Sequence, residues 1–339
     1  MAPTQEANPM VRRLGIMFDG FDHAADMVET VRQAEEVGAD SVWIAEHMGF
    51  REAVACSAAF AATTSRIRLI PTAISPYMWH PMPTAMSLAT LAELAPGRIG
   101  VAIAVGNLLN LKESGHLPVK PVRAIREFVE DLRAFWAGET IERMALNYTL
   151  DGARMAFAPP EPIPIYIASS GPKVLGLAGR IADGVLLSAG LCLPYTERCL
   201  AWAEDGRTAA GRDQDTISRA GFVFCSVSPD GTEAKEELRR KLGFLFRNPG
   251  QAGNIADSGV DMDHTSIIAA IARRDFEAAT ALVPDAAIKA FGVAGTPTAC
   301  RDGLEYYLGA GLDEIILHIS GTPENRALAL KIISELSDS

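Results

Sequence analysis

RIRLIPTAISPYMWHPMPTAMSLATLAELAPGRIGVAIAVGN, residues Arg66 to Asn107, is the stretch from which the rest of the chain can be read. Ile67 to Ile74 is apolar and rich in isoleucine, the composition of a largely buried strand. Pro71 has no N–H to give a ladder and predicts a bulge, and Pro76 and Pro81 stop the run. From Thr84 to Leu94, Ala85, Leu88, Ala89, Leu91 and Ala92 recur at three- and four-residue spacing, which predicts a helix packing one side on a sheet. Ala95-Pro96-Gly97 ends it, and Ile99 to Val105 is a second buried strand. Strand, helix, strand with short turns is a parallel pair, so the functional loops should follow Ile74 and Val105.

The same alternation extends both ways. Towards the N-terminus, Leu14 to Phe18 reads as a strand, His23 to Val37 as a helix, Ser41 to Ala45 as a strand and Ala53 to Thr64 as a helix. Towards the C-terminus a long helix, Val122 to Trp136, precedes an excursion over 140–162 made of short β-like pieces and prolines. Ile163 to Ala168 (strand), Lys173 to Ile181 (helix), Gly184 to Ser188 (strand), Pro194 to Ala210 (helix) and Arg219 to Ser228 (strand) follow. A long, mostly helical, charged segment at about 232–297 is more than a connection needs and reads as an insertion that forms a lid or a partner surface. Thr298 to Gly309 (helix), Glu314 to His318 (eighth strand) and Pro323 to Leu336 (helix) complete the pattern. The expectation is a (β/α)8 TIM barrel, one domain over 1–339 with a helical insertion before the last strand, since such barrels commonly use about 250 residues or more.

Composition narrows the function. A net charge of -11 without a clustered basic footprint argues against nucleic-acid partners. No apolar run approaches the roughly 20 residues that span a bilayer, and MAPTQEANPMVRR has no apolar segment after its basic pair, so the expected location is the cytoplasm. The five cysteines form no C-x-x-C pair and read as reduced, mostly buried thiols. No two of the six histidines stand at the i, i+4 spacing of a helical zinc site, so no metal is expected.

In a barrel of this kind the residues just after each strand face one mouth. They are Asp19, Glu46, His47, Ala73, Ile74, Ser75, Gly106, Asn107, Ser169, Ser170, Gly171, Ser188, Ser226 and His318. Serines, glycines and apolar walls suit a large flat organic cofactor better than a metal or a sugar. His47 is the candidate for proton chemistry, because imidazole titrates near neutral pH; a packed structural histidine is the competing reading. Glu46 should point to the opposite face, which makes its pairing with His47 doubtful. Ser169-Ser170-Gly171-Pro172-Lys173 offers hydroxyls, backbone N–H groups and a helix N-terminus, the ingredients of an anion site, or else an ordinary helix start with proline in its first turn. Phe18, Met48, Tyr77, Met78 and Trp79 could wall a pocket or simply be core.

ADSVWIAEHMGFRE, the opening stretch, IYIASSGPKVLGLAGRIADGVLLS and GTPTACRDGLEYYLGAGLDEIILH, in this order, resemble the bacterial-luciferase-like flavin and deazaflavin oxidoreductases over essentially the whole length. The chain looks most like their methylenetetrahydromethanopterin reductase branch, which uses the deazaflavin coenzyme F420. The resemblance implies an eight-stranded barrel with an insertion before the last strand and a non-proline cis peptide in a bulge behind the cofactor ring, placed by motif match at Ala73-Ile74. It implies a catalytic His47 and cofactor contacts at Thr72, Ala73, Ile74, Gly106, Asn107, Ser169, Ser170, Gly171, Pro172 and Ser188. Glu46 stands where several deazaflavin members have Asp, and Asn107 lacks an acidic side chain that some members use. The implied activity is hydride transfer between F420 and a small organic substrate. The expected assembly is a homo-oligomer, a dimer, shaped by the helical segment after Thr232. Alternatives are an FMN-dependent monooxygenase that activates oxygen, and a non-catalytic barrel acting as a binding protein.

Overall fold

Apolar runs separated by helices with one apolar side bury both strand faces only as a parallel sheet covered by helices. In this computed structural model, which describes residues 13–337 apart from 213, 215, 320 and 321, that is the arrangement found. The elements in chain order are β1 (Arg13–Phe18), α1 (Ala24–Glu36), β2 (Ser41–Ala45), α2 (Ala53–Thr63), β3 (Arg68–Thr72), α3 (Pro81–Leu94), β4 (Val101–Ile103), α4 (Leu108–Glu113) and α5 (Pro121–Trp136). A hairpin of β5 (Ile141–Met144) and β6 (Thr149–Ala153) follows, then β7 (Ile165–Ala168), α6 (Pro172–Ile181), β8 (Gly184–Leu187), α7 (Leu193–Ala209) and β9 (Ser218–Val227). The insertion contributes α8 (Thr232–Leu245), α9 (Ala252–Ser258), α10 (His264–Ala272), α11 (Phe276–Ala281), α12 (Asp285–Phe291) and β10 (Val293–Gly295). The chain then runs through α13 (Pro297–Leu308), β11 (Glu314–Ile319) and α14 (Pro323–Ser337). The residues on which the signal-peptide reading chiefly rests, 1–12, lie outside the described ones.

Eight strands stand side by side in the order β3-β2-β1-β11-β9-β8-β7-β4, all in parallel register. Two isolated bridges, Leu69 with Ile99 and Ile74 with Ile103, bring β3 against β4 and close the barrel. Five residue steps on the β3 side of this join face four on the β4 side, so the bulge expected at Pro71 is present. The Leu69 N–H bonds the Arg98 carbonyl and the Ile74 N–H bonds the Ala102 carbonyl, each at 2.8 Å. Pro71 lies between these two donors and has none of its own. Towards β2 the ladder is regular, from Ser41 opposite Arg68 to Ala45 opposite Thr72.

Met17, Trp43, Ala45, Ile70, Ala102, Tyr166, Leu186, Ala220 and Ile316 fill the barrel. Trp43 meets Tyr166 edge to face, their ring centroids 5.1 Å apart. At the N-terminal end Glu314, 1% exposed, receives Arg68 Nη2 at 2.6 Å and the Ser41 hydroxyl. A side chain at Gly15 would collide with that hydroxyl, its Cβ only 2.2 Å from the Ser41 Oγ. A buried charge needs such partners, so this end of the barrel is plugged and the opposite end is left to function.

The 140–162 excursion is the β5–β6 hairpin, antiparallel with Ile141 opposite Ala153. Two elements are additional to those read from sequence. β10 extends the end of β9, Val293 opposite Cys225, and α4 follows β4. All five cysteines are free and buried. Among the described residues no helix is long and apolar enough to cross a membrane.

Candidate active site

Side chains alternate along a strand, so the inward positions of the core predict which residues crown it. Met17 leads to Asp19, Trp43 and Ala45 to His47, and Tyr166 and Ala168 to Ser170. Leu186 leads to Ser188, Ala220 and Phe222 to Phe224, and Ile316 to His318. Three of these are bound to one another. His318 Nε2 lies 3.4 Å from Asp19 Oδ2, and its ring centroid is 5.4 Å from that of Phe224, the residue opposite it in the β11–β9 ladder.

The electrostatics of this group are unusual for a mouth with so little charge. Burial holds the His318 imidazole below its ordinary value, against the pull of Asp19. Burial would raise the Asp19 carboxyl, but the His318 contact, the Phe21 N–H and the Lys241 charge together outweigh it and leave the carboxyl below its usual range. Burial likewise lowers His47, with Asp19 acting in the opposite sense. Both imidazoles are therefore neutral at pH 7 and able to accept a proton. With its Nε2–H donated to Asp19, His318 presents Nδ1 as an acceptor. His47 has no side-chain hydrogen bond to a described residue, and its ring stands 6.3 Å from that of Phe50. Phe50 packs on Phe21 with centroids 4.6 Å apart, and both are exposed, giving the mouth an aromatic rim.

Glu46 does face away from His47, as alternation requires. Its Oε2 accepts the Ala53 N–H at 2.8 Å, and it also bonds Trp79. Burial, with Glu52 adding to it, pushes its carboxyl up to about 7 despite these donors. Phe18 and Tyr77 are core residues, whereas Met48 is 40% exposed on the rim.

The cis peptide is Thr72-Ala73, one residue earlier than the expected Ala73-Ile74. The motif match located the bulge but not the step within it, because Pro71 and the extra residue shift the register inside the join. Ala73 packs against the barrel interior. Ile74 is completely buried in the layer between strands and helices, and its amide and carbonyl bond β4. Thr72 is buried, its hydroxyl donating to the Ile70 carbonyl at 2.8 Å.

After β4, Gly106 adopts φ +97°, and a Cβ there would stand 3.3 Å from Ser75. Glycine thus meets both demands of this corner. Ser75 Oγ in turn donates to the Val105 carbonyl at 2.6 Å, tying the β3 and β4 loops together. Asn107 is the N-cap of α4, its Oδ1 accepting the Leu109 N–H at 2.9 Å.

The loop after β7 is arranged differently. The Gly171 N–H bonds Ser169 Oγ at 3.1 Å and the Ser170 carbonyl accepts from Tyr195 Oη at 3.0 Å. Gly171 is the N-cap of α6 with no side-chain bond to the helix, and Pro172 is in its first turn. Apart from its chain neighbours, the one described atom within 4 Å of a Cβ built at Gly171 is Ser169 Oγ, at 3.9 Å. Amides of an uncapped first turn, reached across an open glycine, are the donor set of a phosphate group. Ser188 is exposed beside this loop.

Asp19 and His318 belong to the strand-end set but become a pair only once β1 and β11 are neighbours. Phe224, and Lys241 on α8 above it, carried no signal beyond the alternation of β9, because the insertion brings the lysine in from outside the barrel pattern.

The strand ends thus bring two imidazoles held below their ordinary values, an aromatic rim and an uncapped helix start to one end of a parallel barrel. A sequence model described as luciferase-like monooxygenase matches residues 3–314, and the chain belongs to that family. It is 29% identical over 326 residues to the 5,10-methylenetetrahydromethanopterin reductase of Methanolobus tindarius, covering 95% of this chain and 98% of that protein. It is 30% identical over 309 residues to the F420-dependent glucose-6-phosphate dehydrogenase of Kineococcus radiotolerans, covering 87% of each. The solved structure of the coenzyme F420-dependent tetrahydromethanopterin reductase from Methanopyrus kandleri matches with a TM-score of 0.85 at 26% identity, over 95% of this chain and 97% of that one. The chain is accordingly a luciferase-like F420- or flavin-dependent oxidoreductase.

Proposed function

We propose that the protein is an F420-dependent oxidoreductase that exchanges hydride with a small organic substrate at the C-terminal mouth of the barrel. The observation that carries this reading is the uncapped start of α6 at Gly171, which offers free first-turn amides to a phosphate on the side of the barrel where the strands end. The similarity to two F420-dependent enzymes over most of their length supports it. When bound, the deazaflavin supplies two-electron hydride chemistry. Ser169 to Pro172 would hold its phosphate, and the β3 bulge around Ala73, with Gly106, would give its ring a close backbone surface. His47, neutral and without a hydrogen-bond partner among the described side chains, exchanges the accompanying proton with the substrate. Asp19 fixes the tautomer of His318, and the aromatic rim excludes water.

The test is a difference spectrum of the purified protein titrated with F420 and, separately, with FMN. Saturable binding of F420 with weaker or no FMN binding is expected. Tight binding of FMN alone, with substrate-dependent oxygen uptake, would overturn the proposal in favour of a monooxygenase, the activity named by the family description. His47→Ala should retain F420 affinity while turnover falls roughly 100-fold or more, the usual scale of a lost general acid or base. Unchanged turnover would remove this role from His47.

A further inference from the structure

Resting on the reading that the barrel mouth takes F420 and a substrate together, we propose that Lys241 recognises that substrate, which is an organic anion bearing a carboxylate or phosphate group. Lys241 lies on α8, so the insertion provides a specificity residue that the barrel strands lack. Its Nζ stands 5.6 Å from the centroid of the Phe224 ring, within cation–π range. The same ring neighbours His318, which is bound to Asp19. The ammonium is thus fixed on the side of the mouth where the acid–base group lies.

No described acidic neighbour forms an ion pair with it. Among the described residues no carboxylate comes within 4 Å of the Lys241 Nζ. Asp19, which acts on it electrostatically, already accepts from His318 and from the Phe21 N–H. Glu237, one turn earlier on α8, also acts on it without forming an ion pair. Elsewhere on α8, Arg239 is paired with both Glu236 and Asp285. Burial destabilises the Lys241 ammonium and lowers its pKa. Lys241 is half-buried, and a cation at the mouth with no carboxylate in contact is free to take up an incoming anion. In a chain of net charge -11 an anionic substrate is repelled overall, and such a local cation is what would draw it to one place.

Wild-type protein, Lys241→Met and Lys241→Arg, each loaded with F420, would be titrated calorimetrically with benzoate and with inorganic phosphate. Wild type should bind at least one probe, and which one tells a carboxylate from a phosphate. Lys241→Met should weaken that binding roughly tenfold or more, as expected for a charged hydrogen bond. Lys241→Arg should retain most of it, and F420 affinity and melting temperature should be unchanged in both variants. Equal anion binding by wild type and Lys241→Met, or none by wild type, overturns the proposal while leaving the cofactor reading intact. Loss of F420 affinity in Lys241→Met also overturns it, because the lysine then serves the cofactor. If wild type takes up no F420, the functional reading falls, and the same titrations on unloaded protein decide the anion site alone.

Discussion

Glu46 and His47 are neighbours in sequence, face opposite ways and respond oppositely to pH. The folded protein keeps the Glu46 proton up to about 7, against an ordinary value of 4.5, chiefly through burial. Between these values the folded state binds more protons than the unfolded one, so this residue makes stability fall as pH rises. Burial of His47 lowers its value, so that residue makes stability fall as pH drops through the unfolded histidine range. Glu46→Gln should therefore become steadily more stable relative to wild type between about pH 5 and pH 8, measured by denaturant melts. A difference independent of pH would show that Glu46 titrates normally. His47 was legible as a strand-end imidazole, and the opposite facing of Glu46 followed from period two. The Asp19–His318 pair was not legible, since it joins the first and last strands of the barrel and depends on closure. Asn107 follows β4, and its side-chain oxygen caps α4, a local use that the sequence pattern does not show.

Most helices were legible to within a few residues, because apolar spacing and the Gly or Pro signals at their ends agree. α4 was missed, since the six residues Leu108–Glu113 are too few to show a period, and β10 was missed because Val-Ala-Gly has no pattern of its own. The contact between α6 and α7 depends on glycines whose reason is visible only in three dimensions. A Cβ at Gly179 would lie 1.8 Å from the Ala203 carbonyl oxygen, and one at Gly206 would lie 2.1 Å from the Gly176 carbonyl oxygen. These are backbone obstacles, so a side chain can enter only by moving one helix. Gly179→Ala should cost about 3 kcal/mol, at the upper end of overpacking penalties, in a chemical melt. It should also weaken F420 binding, because α6 begins at the Gly171 turn. Wild-type stability in this variant would show that the two helices separate freely.

For the molecule as a whole, the barrel followed from alternating strand and helix patterns, yet how the ring holds together did not. Glu314 is a case in point: in sequence it only begins EIILH, whereas in the structure it collects Arg13, Arg68 and Ser41 under the core. Glu314→Ala leaves Arg68, three-quarters buried, without its counter-charge. The expected loss is about 3–5 kcal/mol, the range for breaking a buried ion pair, with little effect on cofactor affinity because the mouth is at the other end. A loss below about 1 kcal/mol, the scale of exposed pairs, would place Glu314 among the latter.

Pro71 gives the ring a clasp. Seven of its eight joins are continuous ladders, but β3 and β4 meet through two isolated bridges with a missing donor between them. Such a hoop breathes unevenly and yields first where it is fastened least. Amide exchange at Ile74, Gly100 and Ala104, whose N–H groups cross the clasp, should therefore outpace that of Ile16 and Val42 in the β1–β2 ladder. The clasp lies directly beneath the two loops joined by Ser75 and Val105, so the part of the wall that gives way most readily is also the part closest to the entrance.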